Sequence, residues 1–325
     1  MGVVGAGSLG YHHIRLLREV GGAVCAGFFD IDAERAARVS AELGVRAHGS
    51  LDDLLDGCDA VSVVVPTRAH ADVARQALAK GRALLIEKPL CVTISEADAI
   101  LADAEAAGVV VQTGHVERFN RAIRAALPYI DAPRFIASDR LAPFNPRGSD
   151  VAVVLDLMIH DIDLVLTLLG ALVLDVQAVG VPVLTPSIDI ANARLTFTSG
   201  AVATITASRV SRERTRKLRI FQRSGYLSLD LAAGTGEFYR LRTGVDPAVI
   251  AKEPLPIEAF VEHVSLSAPE GEPLHLELQA FVDAVQGRGP VVVSGRDGRD
   301  ALAVALRIME AINESLPDAT GNPGA

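Results

Sequence analysis

Two residues in a nearly apolar segment, Asp156 and His160, are of the types that transfer protons in enzymes. They are four residues apart, so in a helix they lie on one face, one turn from each other. An imidazole has an unperturbed pKa of about 6.5 and can therefore accept a proton from an alcohol near neutral pH. An aspartate beside it can orient the ring and stabilise its charged form. The alternative is a pair of core side chains that only satisfy each other's hydrogen bonds.

Lys88 is a third candidate for chemistry, because it follows the apolar run Ala83–Ile86 in the sequence Glu87-Lys88-Pro89. A proline favours an extended conformation at the preceding residue, which directs the lysine away from the end of the strand. In a cleft, a lysine can donate a hydrogen bond to an alcohol or to a developing alkoxide. It could instead be the base if desolvation lowered its pKa. The alternative is a solvated surface lysine.

The segment that carries Asp156 and His160, residues 151–169, is predicted to form one buried helix that ends before Gly170. Asp163 and Thr167 continue the spacing to i+7 and i+11, so the four polar side chains are expected on one stripe. We interpret Asp163 and Thr167 as structural neighbours of the catalytic pair. A membrane span is excluded because each charge at the centre of a bilayer costs about 2.5 kcal/mol or more.

The elements before this helix alternate between strands and helices, which predicts an α/β fold with a doubly wound parallel sheet. Val3 and Val4 lead into the G-x-G-x-x-G motif of Gly5 to Gly10, and a helical pattern follows. Such glycines allow a tight turn and a close approach to a pyrophosphate, whose oxygens meet the amides at a helix N-terminus. Short apolar runs such as VSVVV are typical of a parallel sheet covered on both faces. We therefore expect a Rossmann domain over residues 1–120.

The cofactor is predicted to be NAD rather than NADP. A second apolar run ends in Asp30, twenty residues after Gly10, where a carboxylate can accept a hydrogen bond from the ribose 2′-hydroxyl of NAD. No basic residue immediately adjoins Asp30 in the sequence to bind a 2′-phosphate. The first strand is unusually short, which leaves two alternatives: the natural start lies upstream, or the sequence has lost the beginning of this strand. The expected cofactor contacts are Gly5, Gly7, Ser8, Leu9, Gly10, Asp30, Pro66, Thr67, His70, Glu87, Lys88 and His115.

The second half of the chain is predicted to be an α+β domain with a largely antiparallel open sheet. Strand patterns at 133–141, 173–183, 190–198, 201–210 and 216–222 surround the buried helix, and two helices follow at 274–286 and 297–316. We assign residues 121–316 to substrate binding and oligomerisation, and expect a disordered tail at 317–325. An open sheet face is compatible with a homodimer or homotetramer.

A basic stretch, residues 209–219, is a candidate substrate surface. Arg212, Arg214 and Arg216 alternate, so in a strand they share one face, and guanidinium groups suit phosphate oxygens. The alternative is a solvated face that is paired with acids across a subunit interface. The residues expected to contact substrate are Arg118, Arg140, Arg147, Arg209 and His160.

Composition restricts the class of protein. The chain has 325 residues, 50% of them hydrophobic, and a net charge of −9, which indicates a soluble globular protein and not a nucleic-acid or anionic-membrane binder. Its three cysteines lack the spacing of metal ligands and are interpreted as reduced thiols, so we expect no metal and a cytoplasmic location. The first residues do not form a signal peptide.

The motifs at Gly5–Gly10, Glu87–Pro89 and Asp156–His160, in this order, resemble the Gfo/Idh/MocA oxidoreductases, which include glucose–fructose oxidoreductase and inositol dehydrogenases. The resemblance covers most of the chain, and the short first strand is its visible departure. It implies that Lys88, Asp156 and His160 form the catalytic group of a nicotinamide-dependent dehydrogenase.

A narrower resemblance, in Gly114–Asn120 and Asp156–Asp163, is to the bacterial branch that oxidises the 3-hydroxyl of UDP-N-acetylglucosamine or its uronic acid. It implies a nucleotide-sugar substrate and a 3-keto sugar product. Two alternatives stay open. One is an inositol, polyol or free-sugar dehydrogenase, and the other is a non-catalytic, dinucleotide-sensing regulator.

Overall fold

The computed structural model describes residues 1–145, 151–242, 244 and 256–315. The chain forms two compact units. The first contains Met1–Phe119 and Gly271–Ala303, and the second contains Asn120–Glu270 and the residues from Val304 on. Residues 271–303, predicted to lie in the second domain, therefore return to the first unit. Arg147 and the tail at 317–325 lie outside the described residues.

The first unit contains a five-stranded parallel sheet in the order β2-β1-β3-β4-β5, as predicted for a doubly wound fold. Strand order reverses beside β1, which creates the crevice where such sheets bind ligands. The strands are β1 (Gly2–Val4), β2 (Gly27–Phe29), β3 (Ala60–Val63), β4 (Ala83–Glu87) and β5 (Val111–Gly114).

The helices of the first half have the sequence signals that start and stop helices. The side chain of Ser50 accepts a hydrogen bond from the Asp53 amide, and Thr93 and Glu96 form a complete capping box. Gly108 ends its helix in the left-handed conformation. The helices are α1 (Ser8–Leu17), α2 (Ala33–Leu43), α3 (Leu51–Asp56), α4 (His70–Ala79) and α5 (Ile94–Ala107), with 3₁₀ turns at Thr67–Ala69 and Val116–Phe119.

The second unit contains an eight-stranded sheet in the order β13-β12-β11-β10-β6-β9-β8-β7. Among the described strands of this second sheet, only the β6–β9 pair is parallel, so the prediction of a largely antiparallel sheet is confirmed. The strands are β6 (Phe135–Leu141), β7 (Val173–Val181), β8 (Ile190–Phe197), β9 (Val202–Ser208), β10 (Thr215–Gln222), β11 (Gly225–Asp230), β12 (Thr235–Leu241) and β13 (Val261–Leu266).

The two faces of this sheet differ in composition. Apolar side chains such as Ile136, Leu218 and Leu227 alternate onto one face and are fully buried. The other face carries a row of rings that crosses five strands, with neighbouring centroids 4.8–5.7 Å apart. The row consists of Phe135, Phe221, Tyr226, Tyr239 and His263.

The helical segment of the second unit differs from the uniform helix that was predicted. After α6 (Arg121–Ala126), residues Val154–Met158 form a π-helical turn, and α7 (Ile159–Leu169) follows it. A π turn has more residues per turn, so the 100° spacing that predicts one polar stripe does not hold across it. Asp163 is 1% exposed and Thr167 is exposed, so the predicted stripe is not continuous.

Two more helices complete the described chain, α8 (Pro273–Val285) and α9 (Gly295–Ser315). Leu278 and Phe281 of α8 enter the same hydrophobic cluster as Ile14 and Phe28, which explains why this segment belongs to the first unit. None of the helices in the described part of the chain is long and apolar enough to cross a membrane.

Candidate active site

A cavity of about 690 Å³ opens in the first unit where the glycine motif follows β1. Most of the residues predicted to contact a cofactor are brought together here, although they come from four separate stretches of sequence. The predicted residues that line the cavity are Gly5, Gly7, Ser8, Leu9, Asp30, Pro66, His70, Glu87 and Lys88, and two arginines, Arg35 and Arg68, join them.

The three glycines of the motif each meet a different steric condition. Gly5 has a φ of +98°, and a Cβ there would lie 2.4 Å from the Val64 carbonyl oxygen. A Cβ on Gly10 would lie 2.1 Å from the carbonyl oxygen of Gly5, so the start of α1 can approach β1 only without a side chain. A Cβ on Gly7 would meet nothing within 4 Å, since this position faces open space. The turn thus fits the phosphates of a dinucleotide at the N-terminus of α1.

Asp30 lies at the end of β2 and is 9% exposed. Its carboxylate accepts hydrogen bonds from the amides of Ala6 and Asp32 and from the guanidinium of Arg35. Burial would raise the pKa of Asp30, but these donors together hold it below its ordinary value. A basic side chain therefore does lie beside Asp30, contrary to the inference from sequence neighbours. Arg35 is five residues away in the sequence, and the turn into α2 brings it back.

His70 connects the ends of two neighbouring strands. Its Nε2 lies 2.9 Å from the Val65 carbonyl oxygen, and its Nδ1 lies 3.0 Å from that of Pro89. Burial lowers the pKa of His70, although the three carbonyl oxygens around it and Glu87 oppose this shift. His70 therefore fixes the loop that carries Lys88. Thr67, also predicted as a cofactor contact, begins the 3₁₀ turn before α4.

A buried chain of hydrogen bonds adjoins Lys88. Ser62 Oγ lies 2.8 Å from His13 Nδ1, and His13 Nε2 lies 3.2 Å from Glu87 Oε1. The second oxygen of Glu87 accepts the main-chain amide of Lys88 at 3.2 Å. Burial would raise the pKa of Glu87, but His13 and Lys88 lower it. His13 was not predicted as a site residue from the sequence, although its place on the buried face of α1 is a usable signal.

Two predicted residues after β5 lie elsewhere in the first unit. His115 is fully buried, and it is not among the described residues that line the cavity. Arg118 donates to the Val292 carbonyl at 3.3 Å and lies 3.4 Å from a carboxylate oxygen of Asp297. These contacts join the 3₁₀ turn at Val116–Phe119 to the segment at the start of α9, and Arg118 is not among the described residues that line the cavity.

The second unit presents Asp156 and His160 as partly exposed side chains, Asp156 from the π turn and His160 from α7. Arg209 Nη2 lies 4.0 Å from Asp156 Oδ2 and donates to the Val151 carbonyl at 2.5 Å. Arg209 is 5% exposed, so it adjoins the predicted catalytic pair from within the protein and not from a surface.

Asp189 lies on the other side of Arg209, with its Oδ1 at 3.9 Å from Arg209 Nε. Its carboxylate accepts hydrogen bonds from three successive amides, those of residues 183–185, and from the hydroxyl of Thr185. Burial would raise the pKa of Asp189, but these donors lower it to about 2. A carboxylate that is charged at neutral pH therefore helps to hold the guanidinium beside Asp156.

Arg140, predicted to contact substrate, is instead part of a buried ion pair. Its Nε and Nη2 lie 2.5 and 3.3 Å from the two oxygens of Asp161, and Ser138 Oγ donates to the same carboxylate at 2.8 Å. Arg140 is 3% exposed and Asp161 1% exposed. The pair joins β6 to α7, so Arg140 anchors the helix that carries His160.

The basic stretch at 209–219 is not one strand face. β10 begins only at Thr215, so Arg212 and Arg214 lie exposed in the preceding loop. Lys217 and Arg219 do lie on the outer face, where they pair with Asp230 at 2.8 Å and Asp139 at 3.2 Å. Both acids belong to the same chain as the two basic side chains. In the described part of the chain, no group of three or more His, Cys, Asp or Glu side chains could hold a metal ion.

Two family models match this sequence. The Gfo/Idh/MocA oxidoreductase family, NAD-binding Rossmann fold, matches residues 1–115, and the Gfo/Idh/MocA C-terminal domain matches residues 134–228.

Two individual relatives cover 97% and 64% of the chain. UDP-N-acetylglucosamine 3-dehydrogenase of Acidithiobacillus ferrooxidans is 40% identical over 316 residues, which is 97% of each chain. A solved structure of that enzyme has a TM-score of 0.88 and covers 96% of this chain and 97% of its own. The NAD⁺-dependent scyllo-inositol 2-dehydrogenase of Bacillus subtilis is 33% identical over 230 residues, 64% of this chain and 67% of that protein.

Proposed function

Because the chain belongs to the Gfo/Idh/MocA oxidoreductase family, we propose that it is an NAD-dependent dehydrogenase of a nucleotide sugar. The reaction is oxidation of the 3-hydroxyl of UDP-N-acetylglucosamine, or of its uronic acid, to a 3-keto sugar. One observation carries the proposal: Lys88 lines the same cavity as the glycine turn and Asp30. The proposed catalytic lysine and the proposed dinucleotide site therefore share one crevice. The full-length similarity to a UDP-N-acetylglucosamine 3-dehydrogenase supports the choice of substrate.

The residues of the cavity fit a nicotinamide dinucleotide, which when bound supplies the acceptor for a hydride from the sugar carbon. Gly5 and Gly10 allow the tight turn and the close approach of α1 to β1, and Gly7 leaves open space for the phosphates at the start of α1. Asp30 and Asp32 together with Arg35 carry a formal charge of −1, because two carboxylates surround one guanidinium. A cluster of this sign at the end of β2 favours a ribose hydroxyl over a 2′-phosphate at that position, so we propose NAD over NADP.

Three side chains of this protein handle the proton. His160 accepts the proton of the sugar hydroxyl, and Asp156, one turn earlier, stabilises the imidazolium that forms. Lys88 donates a hydrogen bond to the reacting oxygen, which favours the alkoxide-like transition state. Glu87 and His70 hold the loop around Lys88, and Arg209 adjoins Asp156. Glu87, His70 and Arg209 therefore position the catalytic group and do not touch the reacting atoms.

The diphosphate of a nucleotide sugar needs a cationic surface, and the loop that follows β9 supplies one. Arg212 and Arg214 are exposed there, three and five residues after Arg209. Arg209 in turn donates to the Val151 carbonyl, shortly before the π turn at Val154–Met158 that carries Asp156. We propose that these two exposed arginines bind the diphosphate, because guanidinium groups pair well with phosphate oxygens.

The test is to mix purified protein, NAD and UDP-N-acetylglucosamine and to follow NADH by absorbance. We expect turnover that His160→Asn reduces by about 100-fold or more, with NAD binding retained. Arg212→Ala/Arg214→Ala should raise KM for the UDP-sugar without changing KM for NAD. If His160→Ala left every measurable activity unchanged, a non-catalytic, dinucleotide-sensing regulator would replace this proposal.

A second candidate within the family is an inositol, polyol or free-sugar dehydrogenase, which the similarity to scyllo-inositol 2-dehydrogenase favours. Such an enzyme has no use for a diphosphate site. Calorimetry with UDP alone separates the two candidates, since only a nucleotide-sugar enzyme should bind UDP. Turnover of free inositol or glucose, with no reaction on UDP-sugars, would support the second candidate.

We further propose that the protein acts in the cytoplasm as a homodimer or homotetramer. The three cysteines are free, which fits a reducing compartment. The outer face of the large sheet, with its row of rings, offers a broad surface for a second copy. Analytical ultracentrifugation of the wild type and of Tyr226→Lys tests the assembly. We expect the variant to be monomeric.

A further inference from the structure

The carboxylate of Asp30 already has as many hydrogen-bond donors as it can accept. Oδ2 accepts from the Ala6 amide at 2.6 Å and from Arg35 Nε at 3.1 Å. Oδ1 accepts from the Asp32 amide at 2.8 Å and from Arg35 Nη2 at 3.0 Å. An ionised carboxylate offers about four lone-pair sites. A ribose hydroxyl can therefore bind Asp30 only if one of these donors leaves.

The side chain of Arg35 is the donor that can leave. The amides of Ala6 and Asp32 are fixed by the fold, since one lies in the glycine motif and the other caps α2. The side chain of Arg35 is 35% exposed, and its guanidinium lies at the end of a flexible aliphatic chain. Its main-chain amide stays bound to Asp32, so the guanidinium can move while the helix remains in place.

Departure of Arg35 has opposite consequences for the two nicotinamide cofactors. For NAD, Arg35 competes with the ribose hydroxyl for the same oxygens. For NADP, the 2′-phosphate carries a charge of about −1.5 to −2 and would meet Asp30 and Asp32 directly. A guanidinium that turns from Asp30 toward the phosphate neutralises that charge and binds it through two parallel hydrogen bonds.

We infer that Arg35 determines cofactor selectivity, as a competitor of the ribose of NAD for Asp30 and as the residue that makes NADP tolerable. The inference rests on the proposed dinucleotide site but not on the proposed sugar. It concerns the side chain that shields the acidic residue, whereas an acid at the end of β2 is by itself a common NAD feature. The protein should therefore prefer NAD only weakly, and substitution of Arg35 alone should strengthen that preference.

The test is to titrate the purified protein with NADH and with NADPH, following nicotinamide fluorescence and, separately, the rise in melting temperature. Arg35→Met keeps the length and helix propensity of the side chain but removes its charge and donors. We expect Kd for NADH to be unchanged or to fall several-fold and Kd for NADPH to rise by about tenfold or more, the effect of one unsatisfied phosphate charge. Arg35→Lys should give an intermediate ratio, because ammonium keeps the charge without the fork.

Arg38→Met is the matched control, since Arg38 is exposed on the same helix and does not line the cavity among the residues described. Its ratio of the two Kd values should equal that of the wild type. If Arg35→Met weakened both cofactors equally, or left their ratio unchanged, the inference would be overturned while the dinucleotide site stood. Binding of neither cofactor by the wild type would overturn both. The titration contains no sugar, so its result can be interpreted even if the proposed sugar substrate is wrong.

Discussion

Asp161→Ala should strongly destabilise the second unit, because it removes the counter-charge of a guanidinium that the fold keeps buried. Arg140 and Asp161 are 3% and 1% exposed, and three donor–acceptor contacts of 2.5 to 3.3 Å join this carboxylate to Arg140 and Ser138. Removing one partner of a buried pair costs about 3–5 kcal/mol in the free energy of unfolding. In a unit of this size, that corresponds to a fall of about 10 °C in melting temperature.

Urea unfolding followed by tyrosine fluorescence can measure this loss in the intact chain. The protein has no tryptophan, and three of its four tyrosines, Tyr129, Tyr226 and Tyr239, belong to the second unit. Ser138→Ala is the control for the neutral hydrogen bond and should cost about 1 kcal/mol. The double variant Arg140→Met/Asp161→Leu removes both charges and should recover most of the stability, because no buried charge remains.

A loss below about 1 kcal/mol in Asp161→Ala, the range of a surface ion pair, would refute this reasoning. So would an Arg140→Met variant of normal stability with a raised KM for the sugar. That result would instead support the prediction from the sequence that Arg140 contacts the substrate.

Three further changes test other parts of the molecule. Asp189→Asn should lower the free energy of unfolding above about pH 4, and it should reduce the loss of stability that the wild type shows as pH falls from about 4 toward 2. The reason is that burial is outweighed by hydrogen-bond donors that hold the pKa of Asp189 at about 2. Urea midpoints measured across this pH range test the prediction. Gly10→Ala should abolish the thermal shift with NAD, because its Cβ would lie 2.1 Å from the Gly5 carbonyl oxygen, and a normal shift would contradict the tight turn. His13→Asn should lower kcat by about 10- to 100-fold with little change in KM for NAD, because it removes a contact of Glu87, which holds the Lys88 loop. An equally large rise in KM for NAD would instead indicate that the substitution disturbs the whole cofactor site.

Local sequence signals were sufficient for the parallel sheet and its glycine turn. The cap at Ser50 and the capping box of Thr93 with Glu96 are formed by residues at most three apart. They can therefore be predicted from the local sequence, without knowledge of the tertiary fold. The placement of Asp30 also depends mainly on one strand and one turn. For the same reason, most of the predicted cofactor contacts line one cavity.

Contacts between elements that are distant in the sequence could not be predicted from local patterns. Arg140 and Asp161 are separated by 21 residues, and either could equally have faced solvent or a ligand. The π turn at Val154–Met158 has no distinctive composition, so a uniform helical spacing was the natural prediction. By contrast, the alternation in Gly225–Asp230 is an ordinary strand pattern, and β11 was within reach of sequence analysis.

The return of α8 to the first unit has a consequence for synthesis on the ribosome. Leu278 and Phe281 belong to the same cluster as Ile14 and Phe28, and the Thr113 amide of β5 donates to the Val293 carbonyl at 3.0 Å. The nascent chain therefore cannot close its first core when residue 119 emerges. At about 5–20 residues per second, it waits about 10 s or longer for the missing helix. During that interval, the apolar surface intended for α8 is exposed, which makes this half of the protein a natural client for chaperones despite its early position in the sequence.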